Sequence, residues 1–262
     1  MREERTMEGL ADDPTLAASL ADVRRHMQAA ATRAGHDLAA IQLIAVTKTV
    51  PAERLIAAAA LGMTTFGENR VQEAREKRER LAQRAAEDAE VARLLAGARW
   101  ELIGHLQTNK AARALDLFER VQSVDSQHLA EALSARAVAL GRVLPILLEV
   151  NIGEEASKSG FAPDASLLRA AAREIAALPG LRPQGLMCVA PIAERAEDAR
   201  PYFRRLRALR DDLRAEVPLG GADDWRELSM GMSDDYEVAI EEGATCVRLG
   251  RALFGSRPPA GA

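Results

Sequence analysis

Eight short apolar runs recur along the chain, each separated from the next by a longer stretch with helical spacing. That alternation restricts the fold more than any other feature. The strand-like runs are 41–46 (IQLIAV), 64–69 (TTFGEN), 99–104 (RWELIG), 120–124 (RVQSV), 145–152 (PILLEVNI), 182–189 (RPQGLMCV), 225–231 (WRELSMG) and 245–250 (TCVRLG). Helical spacing covers 14–36, 52–61, 70–96, 106–116, 126–140, 193–215 and 233–242. A further helix opens at Pro163 and Asp164 and closes at the LPG of 178–180. Over 126–140, Leu129, Ala132, Leu133, Ala137 and Leu140 share one face, and Ser126 precedes them as an N-cap.

Strands that alternate with helices pair in parallel. Eight of them, in a chain of 262 residues, predict a single (β/α)8 TIM-type barrel with an extra N-terminal helix. A doubly wound open sheet is the alternative. No GxGxxG follows the first run, which weakens a dinucleotide-binding reading. No Pro/Gly/Ser-rich linker divides the chain, so one domain with a core of about 20–257 is expected. The segment 82–98, rich in Ala and charge, reads as a solvated helix extension or loop, and the RPPAGA tail as disordered.

Composition narrows the partners. Hydrophobic residues make up 48% of the chain but aromatics only 3%, which suits helices packed over strands rather than a β-sandwich. A formal net charge of −4 offers no basic excess for nucleic acid or an anionic membrane. Cys188 and Cys246 lie far apart in apolar runs, so they read as reduced core thiols of a cytoplasmic protein. The start, MREERTMEGLADDP, lacks the apolar region of a secretory signal, and no apolar stretch of membrane-spanning length occurs.

In such a barrel the chemistry sits at the C-terminal strand ends. Here those ends are polar and glycine-rich: Thr47-Lys48, Gly67-Glu68-Asn69, GHLQTNK (104–110), Asn151 before EEASKSG, LSMGMSDD (228–235) and Arg248-Leu249-Gly250. Lys48 reads equally as a solvated strand-end lysine or as an amine at the mouth of an apolar lumen, because alternation puts it on the face of Ile44 and Val46. In the second case desolvation favours the neutral, nucleophilic amine that forms Schiff bases. The run Ser229–Ser233 reads either as a strand-to-helix turn with Ser233 as N-cap or as a phosphate cradle, with Gly250-Arg251-Ala252 as its other half. Arg248, inward among apolar neighbours, requires a partner, and a carboxylate is one reading. Glu68 and Asn69 read as a capping pair or a site pair. Lys110, Lys158 and His105 each read more simply as solvated strand-end or loop residues.

Together, IAVTKTV, FGENRVQEA, WELIGHLQTNK, VNIGEEASKSG, GLMCVAP and LSMGMSDDYEVAIEEGATCVRLGRALFG resemble the pyridoxal 5′-phosphate (PLP) homeostasis proteins, the YggS-like family. The likeness spans roughly 20–257. It implies a barrel of the alanine racemase N-terminal type (PLP fold type III without the C-terminal β-domain), holding PLP as a Schiff base on Lys48. It implies Asn69 near the ring, Arg248 facing the pyridine nitrogen, and Ser229, the Met230 backbone, Gly250 and Arg251 at the phosphate. Three positions depart from the family pattern: His105 where Pro is usual, Arg70 where Tyr is usual, and Arg251 where a small hydroxyl residue is usual.

The resemblance implies a PLP-binding protein with no or very weak catalysis, probing two alternatives. One is a PLP-dependent, racemase-like enzyme; the other is a cofactor-free Schiff-base lyase. Racemases of this kind take a second base from a C-terminal β-domain, whereas this sequence ends just after its eighth run and has only Tyr202 and Tyr236 as tyrosines. A monomer is expected, with apo PLP-dependent enzymes as partners. A weaker expectation gives the Lys158 loop a second, non-covalent PLP or a role in release.

Overall fold

All eight expected strands form, and each pairs in parallel with its sequence neighbours. They are β1 (Gln42–Val46), β2 (Thr65–Glu68), β3 (Arg99–Leu102), β4 (Arg120–Val124), β5 (Leu144–Glu149), β6 (Leu181–Met187), β7 (Glu227–Ser229) and β8 (Cys246–Leu249). β8 returns to pair with β1, Ile44 standing opposite Arg248, and closes the barrel. The computed structural model describes residues 13–219 and 225–256. The expectations for the charged N-terminus before residue 13 and for the RPPAGA tail lie outside those residues. No described helix is long and apolar enough to cross a membrane.

The helix ahead of the barrel, α1 (Pro14–Ala34), begins where Asp13 accepts the Leu16 N–H at 2.9 Å, and ends at Gly35 with φ 69°. Its buried stripe of Leu16, Leu20, Val23 and Met27 packs on the last two helices, α9 (Tyr236–Glu241) and α10 (Arg251–Phe254). Between them come α2 (Ala52–Ala60), α3 (Val71–Glu87), α4 (Ala89–Leu95), α5 (Ala111–Leu117), α6 (Gln127–Ala139), α7 (Ala165–Ala176) and α8 (Arg200–Glu216).

Several boundaries differ from the periodic pattern. The expected helix over 70–96 is two helices. Asp88 adopts extended angles between them and caps the second through the N–H groups of Glu90 and Val91. The segment 82–98 is therefore largely helical, and Val91 is buried rather than solvated. Helix α5 starts late because Thr108–Lys110 forms a 3-10 turn, and α8 starts late behind a 3-10 turn at Ala196–Ala199. Ser126 and Asp164 cap α6 and α7 as their positions in the sequence imply.

The barrel interior is more polar than the strand sequences imply. Arg120 donates to Gln42 Oε1 at 2.8 Å and to Glu101 Oε2 at 2.9 Å. Gln122 donates to the same Glu101 oxygen at 2.5 Å, and its own carbonyl accepts from the Ser229 hydroxyl at 2.5 Å. Arg248 in turn donates to Ser229 Oγ at 2.6 Å and to the Cys188 carbonyl at 2.7 Å. Buried charges need hydrogen-bonded partners, and this chain supplies a carboxylate to Arg120 at the floor and neutral acceptors to Arg248 at the mouth.

Candidate active site at the barrel mouth

Strand β1 ends in Val46, and the chain then turns through Thr47, Lys48 and Thr49 before Pro51 leads into α2 at its N-cap position. The Val50 N–H closes this turn on the Thr47 carbonyl at 2.9 Å. Lys48 lines a cavity of about 650 Å³ whose other walls include Val46, Arg54, Gly250 and Arg251. The lysine is thus at a cavity beside the β1–β8 seam rather than on open surface. A Cβ added at Gly250 would lie 3.4 Å from both Val46 Cβ and the Val46 carbonyl oxygen. Glycine keeps that wall open and leaves its backbone accessible at the cavity.

The two loops after β7 and β8 are joined directly. Ser233 Oγ accepts the Ala252 N–H at 3.1 Å, linking the SMGMS turn to the first turn of α10. Ser233 is therefore not the N-cap of the next helix. That helix begins at Tyr236 behind Asp235, whose carboxylate accepts the Met232 N–H at 2.6 Å. Gly231 makes the turn possible, with φ 92° and room for no side chain: a Cβ there would come 2.6 Å from Ala239 Cβ. The exposed Arg251 side chain pairs with Asp234, and Arg251 lines the same cavity as Gly250.

Ser229 and Met230, both expected at the phosphate, have partners within the barrel. Ser229 is fully buried and has one hydroxyl proton, which goes to Gln122, while its oxygen accepts from Arg248. The Met230 N–H donates to the Cys246 carbonyl at 3.1 Å, and Met230 itself is buried in the core. Ser229 thus orients Arg248 from below. Ser233, which the sequence pattern reads as a cap or as part of a cradle, takes the position between the two loops. Its distinguishing signal was its place in a glycine-containing turn that must meet the β8 loop.

Arg248 is 4% exposed, and its hydrogen bonds go to neutral acceptors, so the carboxylate partner that the sequence leaves open is absent among the described residues. Asn69, half-buried, follows β2 at the same end of the barrel. Gly104 lets the β3 end pass close to it, since a Cβ there would fall 2.7 Å from the Asn69 carbonyl oxygen.

Farther round the mouth, Glu149 ends β5. Burial pushes its carboxyl up to about 7, and Asp125 reinforces the shift while Arg248 and His105 oppose it. His105 Nδ1 lies 2.8 Å from Asp125 Oδ2 and is exposed. Lys110 is exposed on the turn before α5, and Lys158 pairs with Glu155 inside its own loop. Neither lines the Lys48 cavity. Both cysteines are buried and free, with burial raising the Cys188 thiol to about 12 and Cys246 to about 11.

Three comparisons bear on this geometry. The family model described as "Alanine racemase, N-terminal domain" matches residues 18–258. The pyridoxal phosphate homeostasis protein of Pseudomonas aeruginosa is 43% identical over 244 residues, covering 93% of this chain and 96% of that protein. The pyridoxal phosphate homeostasis protein of Aquifex aeolicus is 40% identical over 238 residues, covering 91% and 96%. The solved structure of PipY from Synechococcus elongatus PCC7942, with PLP bound, is 35% identical, with a TM-score of 0.75 and coverage of 92% of this chain and all of that one.

Proposed function

This chain belongs to the alanine racemase N-terminal domain family, together with the pyridoxal phosphate homeostasis proteins, and from that premise we propose that it is a PLP-binding homeostasis protein holding the cofactor on Lys48. The observation that carries the reading is that Lys48 and Gly250 share the wall of one cavity. A primary amine and an open backbone cradle then face the same space. Bound PLP supplies an aldehyde that condenses with an amine, releasing water, and a phosphate that needs close N–H donors.

The residues present fit that group. Lys48 supplies the amine. The Gly250–Arg251 backbone, with Ser233 beside it, offers small, closely approachable groups at the loops where barrels of this kind hold phosphate. Arg248, locked by Ser229 and the Cys188 carbonyl, presents a guanidinium that donates hydrogen bonds and takes up no proton at ordinary pH. Asn69 borders the mouth at the end of β2.

Retention rather than turnover is the reading favoured for the bound cofactor. The relatives are named for homeostasis. Inversion of an amino acid needs a second base across the ring from Lys48. Tyr236 Oη lies 3.3 Å from His26 Nδ1, between α9 and α1, and Tyr202 sits on α8, so neither supports that role. We infer that apo PLP-dependent enzymes receive the cofactor, which timed transfer against free PLP at equal concentration tests.

Titration of the purified protein with PLP tests the proposal. A visible absorption band in the wild type that is lost in Lys48→Ala is expected. An equal band in both proteins contradicts it. A Lys48-dependent yield of D-alanine from L-alanine, on the order of 1 s⁻¹ or more, selects a racemase-like enzyme instead.

A further inference from the structure

We propose that Glu73 and Lys77 on α3 are positioning residues that aim the Lys48 side chain by holding the backbone on both sides of it. This rests on the assignment of Lys48 as the PLP amine. The Lys77 ammonium donates to the Thr47 carbonyl at 2.6 Å, and the Thr49 N–H donates to the Glu73 carboxylate. Those two groups belong to the peptide units immediately before and after the Lys48 Cα. Peptide units are planar, so holding both fixes φ and ψ of Lys48 and with them the direction of its Cα–Cβ bond.

The clamp is built rather than incidental. Lys77 is 6% exposed, and its three N–H bonds find three acceptors: the Thr47 carbonyl, Glu68 Oε1 at 2.5 Å and Glu73 Oε1 at 3.4 Å. Thr47 Oγ1 also donates to Glu68 Oε1, at 2.6 Å. The fully buried Glu68 thereby ties the lysine and the strand end together while its Oε2 has no partner. Burial raises the Glu68 carboxyl, and Lys77 opposes that rise. A buried ion pair of this kind is a poor way to gain stability, since well-packed apolar groups do as well. It is a good way to fix a backbone carbonyl. Thr49 adds a second sign, holding φ 64°, a conformation costly for a β-branched residue, at the point where Glu73 grips its N–H.

The chain of contacts starts from one helical spacing. Glu73 and Lys77 are four residues apart on α3, so they sit one turn above each other on the face turned to β1. No side chain of this cluster needs to touch the cofactor. The consequence is specific: the clamp serves the bond between the Lys48 amine and an aldehyde, and not the grip on phosphate or ring.

Full-length Lys77→Met and Glu73→Ala test this with two probes, PLP and pyridoxine 5′-phosphate, whose alcohol cannot condense with an amine. The expected result is a loss of about tenfold or more in PLP affinity, with pyridoxine 5′-phosphate held within about twofold of wild type. Equal losses for both probes, or no loss for PLP, overturn the proposal. Glu73 is partly exposed, so its variant leaves the buried Lys77–Glu68 pair in place should Lys77→Met fail to fold. Amide exchange at Thr49 in the cofactor-free protein reads the clamp directly. Exchange about tenfold faster in Glu73→Ala, which has no side-chain acceptor, is expected, and an unchanged rate overturns the proposal. A wild-type protein that traps no PLP on Lys48 instead refutes the assignment of that lysine, and the Thr49 rate still decides the clamp.

Discussion

Arg248 donates to the Ser229 hydroxyl oxygen at 2.6 Å, and that bond fixes the direction of the hydrogen bonds beneath it. Ser229 must then give its proton to Gln122 Oε1, which turns the Gln122 amide nitrogen toward Glu101, the acceptor also used by Arg120. The charge at the barrel mouth is thereby oriented by residues on β3 and β4 deep in the lumen.

Breaking that chain in the middle should be costly. Glu101→Leu takes the nearer carboxylate from buried Arg120, leaving it Gln42 and a longer pair with Glu227 at 3.9 Å, and removes the acceptor of the Gln122 amide. A loss of about 3–5 kcal/mol in unfolding free energy is expected. A denaturant midpoint close to wild type at unchanged slope contradicts the idea that the pair is desolvated.

Phosphate recognition predicts discrimination between two ligands with the same ring. The Gly250–Arg251 backbone and Ser233 are proposed to hold the phosphate, and each lost bond to a charged group is worth roughly 1.5–3 kcal/mol. Pyridoxal should bind at least about tenfold more weakly than PLP in a spectroscopic titration. Equal affinities exclude this cradle as the anchor.

Gly231→Ala tests the turn that brings the β7 loop to the β8 loop. Residue 231 holds φ 92°, and an added Cβ would stand 2.6 Å from Ala239 Cβ and 3.0 Å from Tyr236 Cα. Strain and overpacking together should remove about 2 kcal/mol or more of stability and weaken PLP binding. A variant with wild-type melting and wild-type affinity speaks against a rigid turn.

The barrel and its mouth are legible in the sequence to unequal depth. Alternation puts Lys48 on the face of Ile44 and Val46, and the residue lines a cavity beside Val46 just past the strand end. The break in the 70–96 helix also carries a signal, since Asp88 is a capping residue directly before a new helical run. The partners of Ser229 and Met230 were not legible, for a different reason. Alternation tells which face a residue occupies and says nothing about which acceptor its single donor meets. The lumen network depends on Glu101, Arg120, Gln122 and Ser229 coming within reach of one another from three strands, which barrel stagger sets and local pattern does not. The Lys77 grip on Thr47 escapes for the same reason, joining residues thirty positions apart.

Glu149 should give the fold an unusual response to pH. Its carboxyl titrates near 7 in the folded chain against an ordinary value of 4.5, chiefly through burial. Between those values the folded protein keeps a proton that the unfolded chain has lost, so stability falls as pH rises through that window. The loss should reach about 2 kcal/mol, allowing for screening at the strand mouth. Unfolding titrations from pH 4 to 8 should show this slope in wild type and a flatter one in Glu149→Gln. Parallel curves contradict it.

The chain has only four lysines, Lys48, Lys77, Lys110 and Lys158, which makes one measurement especially direct. The PLP-loaded protein is reduced with borohydride, digested and mapped by mass spectrometry. The expected result is a pyridoxyl group on Lys48, in near-stoichiometric yield. Label found chiefly on Lys77, Lys110 or Lys158, with Lys48 unmodified, contradicts the proposed site.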